Sequence, residues 1–122
     1  MKSRNGNAVS KGMEEKAEDA ARLLTTLGHP KRLLTLCHLV EGEKSVGQLV
    51  QLIGLSQTAL SQHLARMRDL GLVATRREGQ NIFYRLVSLE VTAILETLYK
   101  LYCAPYAARR ADHPAVGTRR KR

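Results

Sequence analysis

The stretch "KSVGQLVQLIGLSQTALSQHLARM", residues 44–67, constrains this chain more than any other. Ser45 and Gln48 have the spacing of a capping box, in which a hydroxyl and an amide satisfy backbone donors that a helix start leaves unpaired. They predict a short helix over Val46–Ile53. Gly54 and Leu55 then permit a tight turn, and Ser56 can cap a second helix from Gln57 to about Leu70. Two helices joined by about three residues that include a glycine have the form of a helix-turn-helix. In the second helix Leu60, Leu64 and Met67 fall on one stripe, so Thr58, Ser61, Gln62 and Ala65 look the other way. That outward face is oddly short of charge for a surface helix.

The flanking segments extend the pattern. A first helix is expected over residues 13–27, with Ala17, Ala20, Ala21, Leu24 and Leu27 on one stripe and Gly28 closing it. Pro30 suits the first turn of the next helix, where its missing N–H costs nothing. That helix, Pro30 to about Val40, sets Leu33, Leu36, Cys37 and Val40 at helical spacing and so puts Cys37 on the apolar face. "EGEKS" is a turn. After Gly71, "LVATRREGQNIFYRLV" alternates, with Val73, Thr75 and Arg77 opposed to Ala74 and Arg76, and "EGQN" turns a β-hairpin. A hairpin directly after a helix-turn-helix is a wing. A last helix is expected over Leu89–Cys103, carrying Val91, Ile94, Leu95, Leu98 and Tyr102, with Tyr99 and Leu101 widening the stripe and Pro105 stopping it. The expected class is therefore mainly α with a small β-hairpin, a winged helix-turn-helix in the order α-α-α-α-β-β-α. It occupies residues 13–103, between a polar, disordered arm (1–12) and a basic, disordered tail (104–122).

At 122 residues the chain makes one domain, small enough that a partner subunit would help bury apolar surface. Its net charge is +9, but nearly all of that lies in the two end segments. In between, the acidic run Glu14, Glu15, Glu18 and Asp19 contrasts with Arg66, Arg68, Arg76, Arg77 and Arg85. One side is thus suited to an anion and another is turned away from it. No apolar run approaches the roughly 18 residues of a membrane span, and the first twelve residues lack the apolar core of an export signal. A cytoplasmic protein with no membrane association is expected. No acid/base pair, activated nucleophile or phosphate-cradling glycine loop suggests an enzyme.

A helix that enters the DNA major groove must present base-edge hydrogen-bonding groups from its first turns. Gln57, Thr58, Ser61 and Gln62 supply amides and hydroxyls of that kind, and Ala65 permits close approach. Ser56 at the helix start favours a phosphate. Arg66 can reach the backbone, and Arg76, Arg77 and Arg85 place cations in the wing. His63, toward the core edge, is a further candidate contact that also suits a packing role. The partner these residues imply is double-stranded DNA. The two cysteines, Cys37 and Cys103, are open to three readings at this point: core packing, redox chemistry or metal binding.

The segments "LGHPKRL", "SVGQL", "LSQTALSQHL" and "LGLVATRREGQNIFYRL" resemble the ArsR/SmtB family of winged-helix repressors, and the likeness runs over residues 20–103. The resemblance implies a homodimer built through its first and last helices, bound to a palindromic operator until an inducer is sensed. The usual metal ligands of the family are missing: "SVGQLVQLIGL" has no cysteine, and "LEVTAILETLYKLYC" has no histidine. Cys37 and Cys103 instead match the BigR/SqrR branch and the similar HlyU proteins. That branch implies sensing of persulfide through a polysulfide or disulfide bridge, with no cofactor and no resident metal. Two thiols from different helices are enough for such chemistry, since one attacks sulfane sulfur and the other resolves the product. Two rival functions remain at this stage. One is a zinc-type regulator that adds histidines to the cysteines, and the other is a constitutive architectural DNA binder driven by the basic tails.

Overall fold

The computed structural model describes residues 2–104, with side chains from residue 8 onward. The elements are α1 (Lys2–Glu14), α2 (Ala17–Leu27), α3 (Pro30–Val40), β1 (Lys44–Ser45), α4 (Val46–Ile53), α5 (Gln57–Asp69), β2 (Val73–Glu78), β3 (Asn81–Leu86) and α6 (Leu89–Tyr102). They form a winged helix-turn-helix in which the three strands lie in the order β1-β3-β2, all antiparallel neighbours. Pro105 and the rest of the expected tail beyond residue 104 lie outside the described residues.

The helix-turn-helix follows its local signals closely. The Ser45 hydroxyl accepts from the Gln48 N–H at 3.2 Å, and the Gln48 amide oxygen accepts from the Ser45 N–H at 2.8 Å. Gly54 ends α4 at φ +83°, a left-handed conformation that favours glycine, and the Ser56 hydroxyl accepts from the Ala59 N–H at 3.1 Å. Lys31 on α3 adds a tie absent from the sequence pattern, donating from Nζ to the Ile53 carbonyl at 3.2 Å. The turn is thereby held against α3. Beneath it Leu36, Leu49, Leu60, Leu64 and Met67 are fully buried. Burying one such side chain stabilises a fold by roughly 1.5–3 kcal/mol. Leu27, Leu39, Leu72, Val73, Val91 and Leu95 complete the core.

Several expectations need correction. Residues 2–14 form a helix where an irregular arm was expected, and the helix expected over 13–27 breaks at Glu15–Lys16. Polar composition hid α1, because backbone hydrogen bonding requires no apolar stripe. Residues 8–14 of α1 are all exposed. In α2 the buried side is Leu23, Thr26 and Leu27, while Leu24 is 57% exposed. Thr26 can face inward because its hydroxyl donates to the Arg22 carbonyl at 3.0 Å. Thr35 does the same in α3, donating to the Lys31 carbonyl at 2.7 Å. This rotation turns Leu33, Leu36 and Leu39 inward and leaves Cys37 and Val40 exposed, so Cys37 does not lie on the buried face. The "EGEKS" turn ends in a strand, since Lys44 and Ser45 pair with Tyr84 and Phe83. Finally, Glu78 pairs with Asn81, which shortens the hairpin turn to Gly79 and Gln80.

Candidate nucleic-acid interface and thiol pair

α5 is anchored by Leu60, Leu64 and Met67, each with no exposed surface. On its other side Gln57, Thr58, Ser61, Gln62 and Ala65 together line one shallow surface hollow. The fold therefore brings the expected base-reading residues onto one continuous face, with Ser56 capping its start and Arg66 exposed further along. A second hollow lies on α4, lined by Lys44, Ser45, Gly47, Gln48, Gln51 and Leu52. In helix-turn-helix proteins the first helix crosses the DNA backbone, so this surface extends the candidate interface. Sequence reading passed over it because Gln48 was absorbed by the cap, although a polar Lys44 and Gln51 flanking that cap were a usable signal.

His63 is half-buried and stands apart from the hollow, its ring 4.7 Å from that of His29. His29 caps α3, its Nδ1 accepting from the Lys31 N–H at 3.2 Å. Desolvation lowers the His63 pKa below the ordinary imidazole value, and His29 and Arg32 add to the effect. A neutral imidazole joining α3 to α5 fits this position better than a base-reading cation.

The three wing arginines occupy different surroundings. Strand pairing sets Val73 opposite Leu86, Thr75 opposite Tyr84 and Arg77 opposite Ile82 on one face of the sheet, and Ala74 opposite Arg85 and Arg76 opposite Phe83 on the other. Arg77 is exposed near the hairpin turn, and its guanidinium has no hydrogen bond or ion pair among the described residues. Arg76 donates from Nε to both Glu43 carboxylate oxygens at 2.9 Å and from Nη1 to Glu78 at 3.2 Å. Its hydrogen bond holds the Glu43 carboxyl below the usual carboxylate range, with the charges of Arg76 and Arg85 adding to the shift. Arg85 is exposed and contributes only through its charge.

Cys37, on α3, and Cys103, which caps the end of α6, are both free and exposed. The Cys37 thiol is raised above the ordinary thiol range, first by partial desolvation, then by Cys103 and by Glu41. Cys103 is thus among the groups that disfavour the Cys37 thiolate, although the two cysteines are 66 residues apart in the sequence. His38, which is next to Cys37 in sequence, places Nδ1 3.7 Å from Glu41. Among the described residues no three His, Cys, Asp or Glu side chains converge as a metal-holding group.

Residues 29–75 match the family described as bacterial regulatory protein, arsR family. The chain is 49% identical over 92 residues to the biofilm growth-associated repressor of Xylella fastidiosa, covering 75% of this chain and 81% of that protein. It is 50% identical over 91 residues to the transcriptional activator HlyU of Vibrio cholerae, covering 75% and 84%. Among solved structures, the transcriptional repressor BigR from Xylella fastidiosa matches with a TM-score of 0.73 at 47% identity, covering 78% of this chain and 97% of that one. A structure described as reduced HlyU from Vibrio cholerae matches with a TM-score of 0.72 at 48% identity, covering 77% and 99%.

Proposed function

Because this chain belongs to the arsR family of bacterial regulatory proteins, as a DNA-binding transcriptional regulator of the BigR and HlyU kind, we propose that it is a homodimeric repressor whose Cys37 and Cys103 sense persulfide or polysulfide. The observation that carries the sensing is that both cysteines are free and exposed, one on α3 and the other at the end of α6. The relatives named as biofilm growth-associated repressors support the repressor reading.

DNA is read by Gln57, Thr58, Ser61 and Gln62, with Ser56 and Arg66 toward the phosphates and Arg77 at the wing. A palindromic operator would present one half-site to each recognition helix, about one turn of DNA apart. Exposed apolar side chains on several helices, Leu24, Leu34, Leu89, Tyr99 and Leu101, support a second copy packing there.

The thiol chemistry balances without an added oxidant. The Cys103 thiolate attacks the middle sulfur of a trisulfide R–S–S–S–R and expels one RS⁻. The Cys37 thiolate then attacks that same sulfur and expels the second RS⁻, leaving one sulfur atom between the two cysteine sulfurs. With a persulfide R–S–SH, Cys103 takes the outer sulfur and expels RS⁻; Cys37 attacks the Cys103 sulfur, expels HS⁻ and closes a disulfide. Cys103 is assigned the attack because the Cys37 thiolate is disfavoured by its surroundings. A bridge from α3 to α6 would alter the spacing of the two recognition helices.

Glutathione trisulfide is the test probe, with a duplex enriched by this protein from a random-sequence pool. Wild-type protein should release the duplex and gain one bridging sulfur by intact mass. Cys37→Ser and Cys103→Ser should bind as well as wild type and stay bound. Continued release by both variants would overturn the sensing role, and failure to enrich any sequence would overturn the base-reading role.

A further inference from the structure

Resting on the assignment of DNA binding, but not on the thiol chemistry, we infer that Arg76 and Glu43 form a clamp across the sheet that sets the angle of the wing. Arg76 is thus a positioning residue, not a phosphate contact.

The register shows how the clamp is built. β3 is the central strand, with β1 on one side and β2 on the other. Ser45 and Arg76 both lie opposite Phe83, one from each neighbour, and Glu43 directly precedes β1. Residues two apart share a face of a strand, so Ser45, Phe83, Arg85, Arg76 and Glu78 belong to one side of the sheet, and the hydrogen bonds from Arg76 bring the Glu43 carboxylate to that side. From β2 the Arg76 guanidinium reaches over β3, its Cζ 4.7 Å from the Phe83 ring centroid, and meets Glu43 beyond. Nε and Nη2 each lie 2.9 Å from Glu43 Oε1, and Nη1 binds Glu78 on its own strand. The planar guanidinium therefore lies on an aromatic face with acids at both ends, an arrangement suited to arginine rather than lysine. The two outer strands are strapped across the central one.

Position gives the strap its consequence. Glu43 sits between α3 and β1, immediately before the helix-turn-helix, while Arg76 is where β2 leaves the body. β2 passes from buried at Val73, through Ala74 and Thr75, to exposed from Arg76 onward. The clamp is thus at the root of the projecting half of the wing. Arg77 and the Gly79–Gln80 turn lie beyond it, and their direction relative to α5 depends on it. A guanidinium already engaged by two carboxylates is poorly placed to neutralise a phosphate as well.

Binding of the enriched duplex by Glu43→Gln, Arg76→Gln, the double variant and the charge-swapped pair Glu43→Arg/Arg76→Glu tests this, with Arg77→Gln for comparison. Coulomb's law alone predicts that Glu43→Gln, which removes a negative charge, binds DNA more tightly. The clamp predicts the opposite: each single variant should weaken binding by about two- to fivefold, the scale of a surface ion pair, and the double variant should weaken it no further. The charge-swapped pair should regain part of the loss. Arg76→Gln should leave the dependence of log K on log salt unchanged, whereas Arg77→Gln should reduce its slope by about one unit. A slope reduced by Arg76→Gln together with unchanged or tighter binding by Glu43→Gln would overturn the clamp, as would wild-type affinity in both single variants. Unchanged trisulfide response in all of these variants is expected, which separates this test from that of the thiols.

Discussion

The reading helix and the wing face the same partner but are made differently. α5 is held from beneath by three side chains with no exposed surface, and among the described residues its outward amides and hydroxyls have no side-chain partner, apart from the Ser56 cap. β2 emerges exposed from Arg76 onward, and Arg76 is already occupied with Glu43 and Glu78. A rigid support suits groups that must match base edges to within a hydrogen bond. A cation at a wing needs less precision at the DNA, because phosphate contacts position without specifying sequence. The charge of the wing is accordingly used in part to fix the wing itself.

The largest expected effect comes from the support under α5. Leu64→Ala should destabilise the protein by about 2–5 kcal/mol, because a fully buried leucine leaves a cavity that its neighbours refill only partly. Denaturant unfolding checks it. A loss within the ±0.5 kcal/mol of an ordinary surface substitution would show that the helix does not depend on this packing. Next is the free face. Gln62→Ala should leave stability almost unchanged and weaken the enriched duplex by about 1–3 kcal/mol, the worth of a good base contact. It should barely affect a duplex of unrelated sequence. Equal loss on both duplexes would make Gln62 a backbone contact and blunt the distinction between helix and wing.

That distinction also separates what the sequence makes legible from what it does not. Every signal that located the helix-turn-helix acts within about four residues: Ser45 with Gln48, Gly54 alone, Ser56 with Ala59. Such contacts are written in spacing, so the reading face of α5 can be named in advance. Glu43 and Arg76 lie 33 residues apart and meet only because β3 pairs with both β2 and the short strand that follows Glu43, so neither looks different from a solvated charge in the sequence. β1, two residues long, has no period to detect. The buried sides of α2 and α3 were misjudged because Thr26 and Thr35 hide their hydroxyls on their own helices and so behave as apolar residues. Counting threonine as polar rotated both stripes and turned Cys37 inward. The thiol pair itself came from the resemblance, since no spacing rule links α3 to the end of α6.

The smallest expected effect lies where α5 meets α3, at His63. Desolvation, His29 and Arg32 all disfavour its charged form in the folded protein. In the unfolded chain the same imidazole titrates near pH 6.5. Above that value neither state holds the proton, and the full stability of this contact is present. As pH falls through about 6.5 the unfolded chain takes up the proton first, so stability declines until the depressed folded pKa is reached. Melting temperature should therefore fall gently from pH 7.5 to pH 5.5, and His63→Gln should flatten part of that slope without changing affinity for the enriched duplex at pH 7.5. A full wild-type slope in this variant would assign the titration elsewhere. A loss of sequence-specific affinity would instead place His63 among the base contacts and extend the reading face around the helix toward α3.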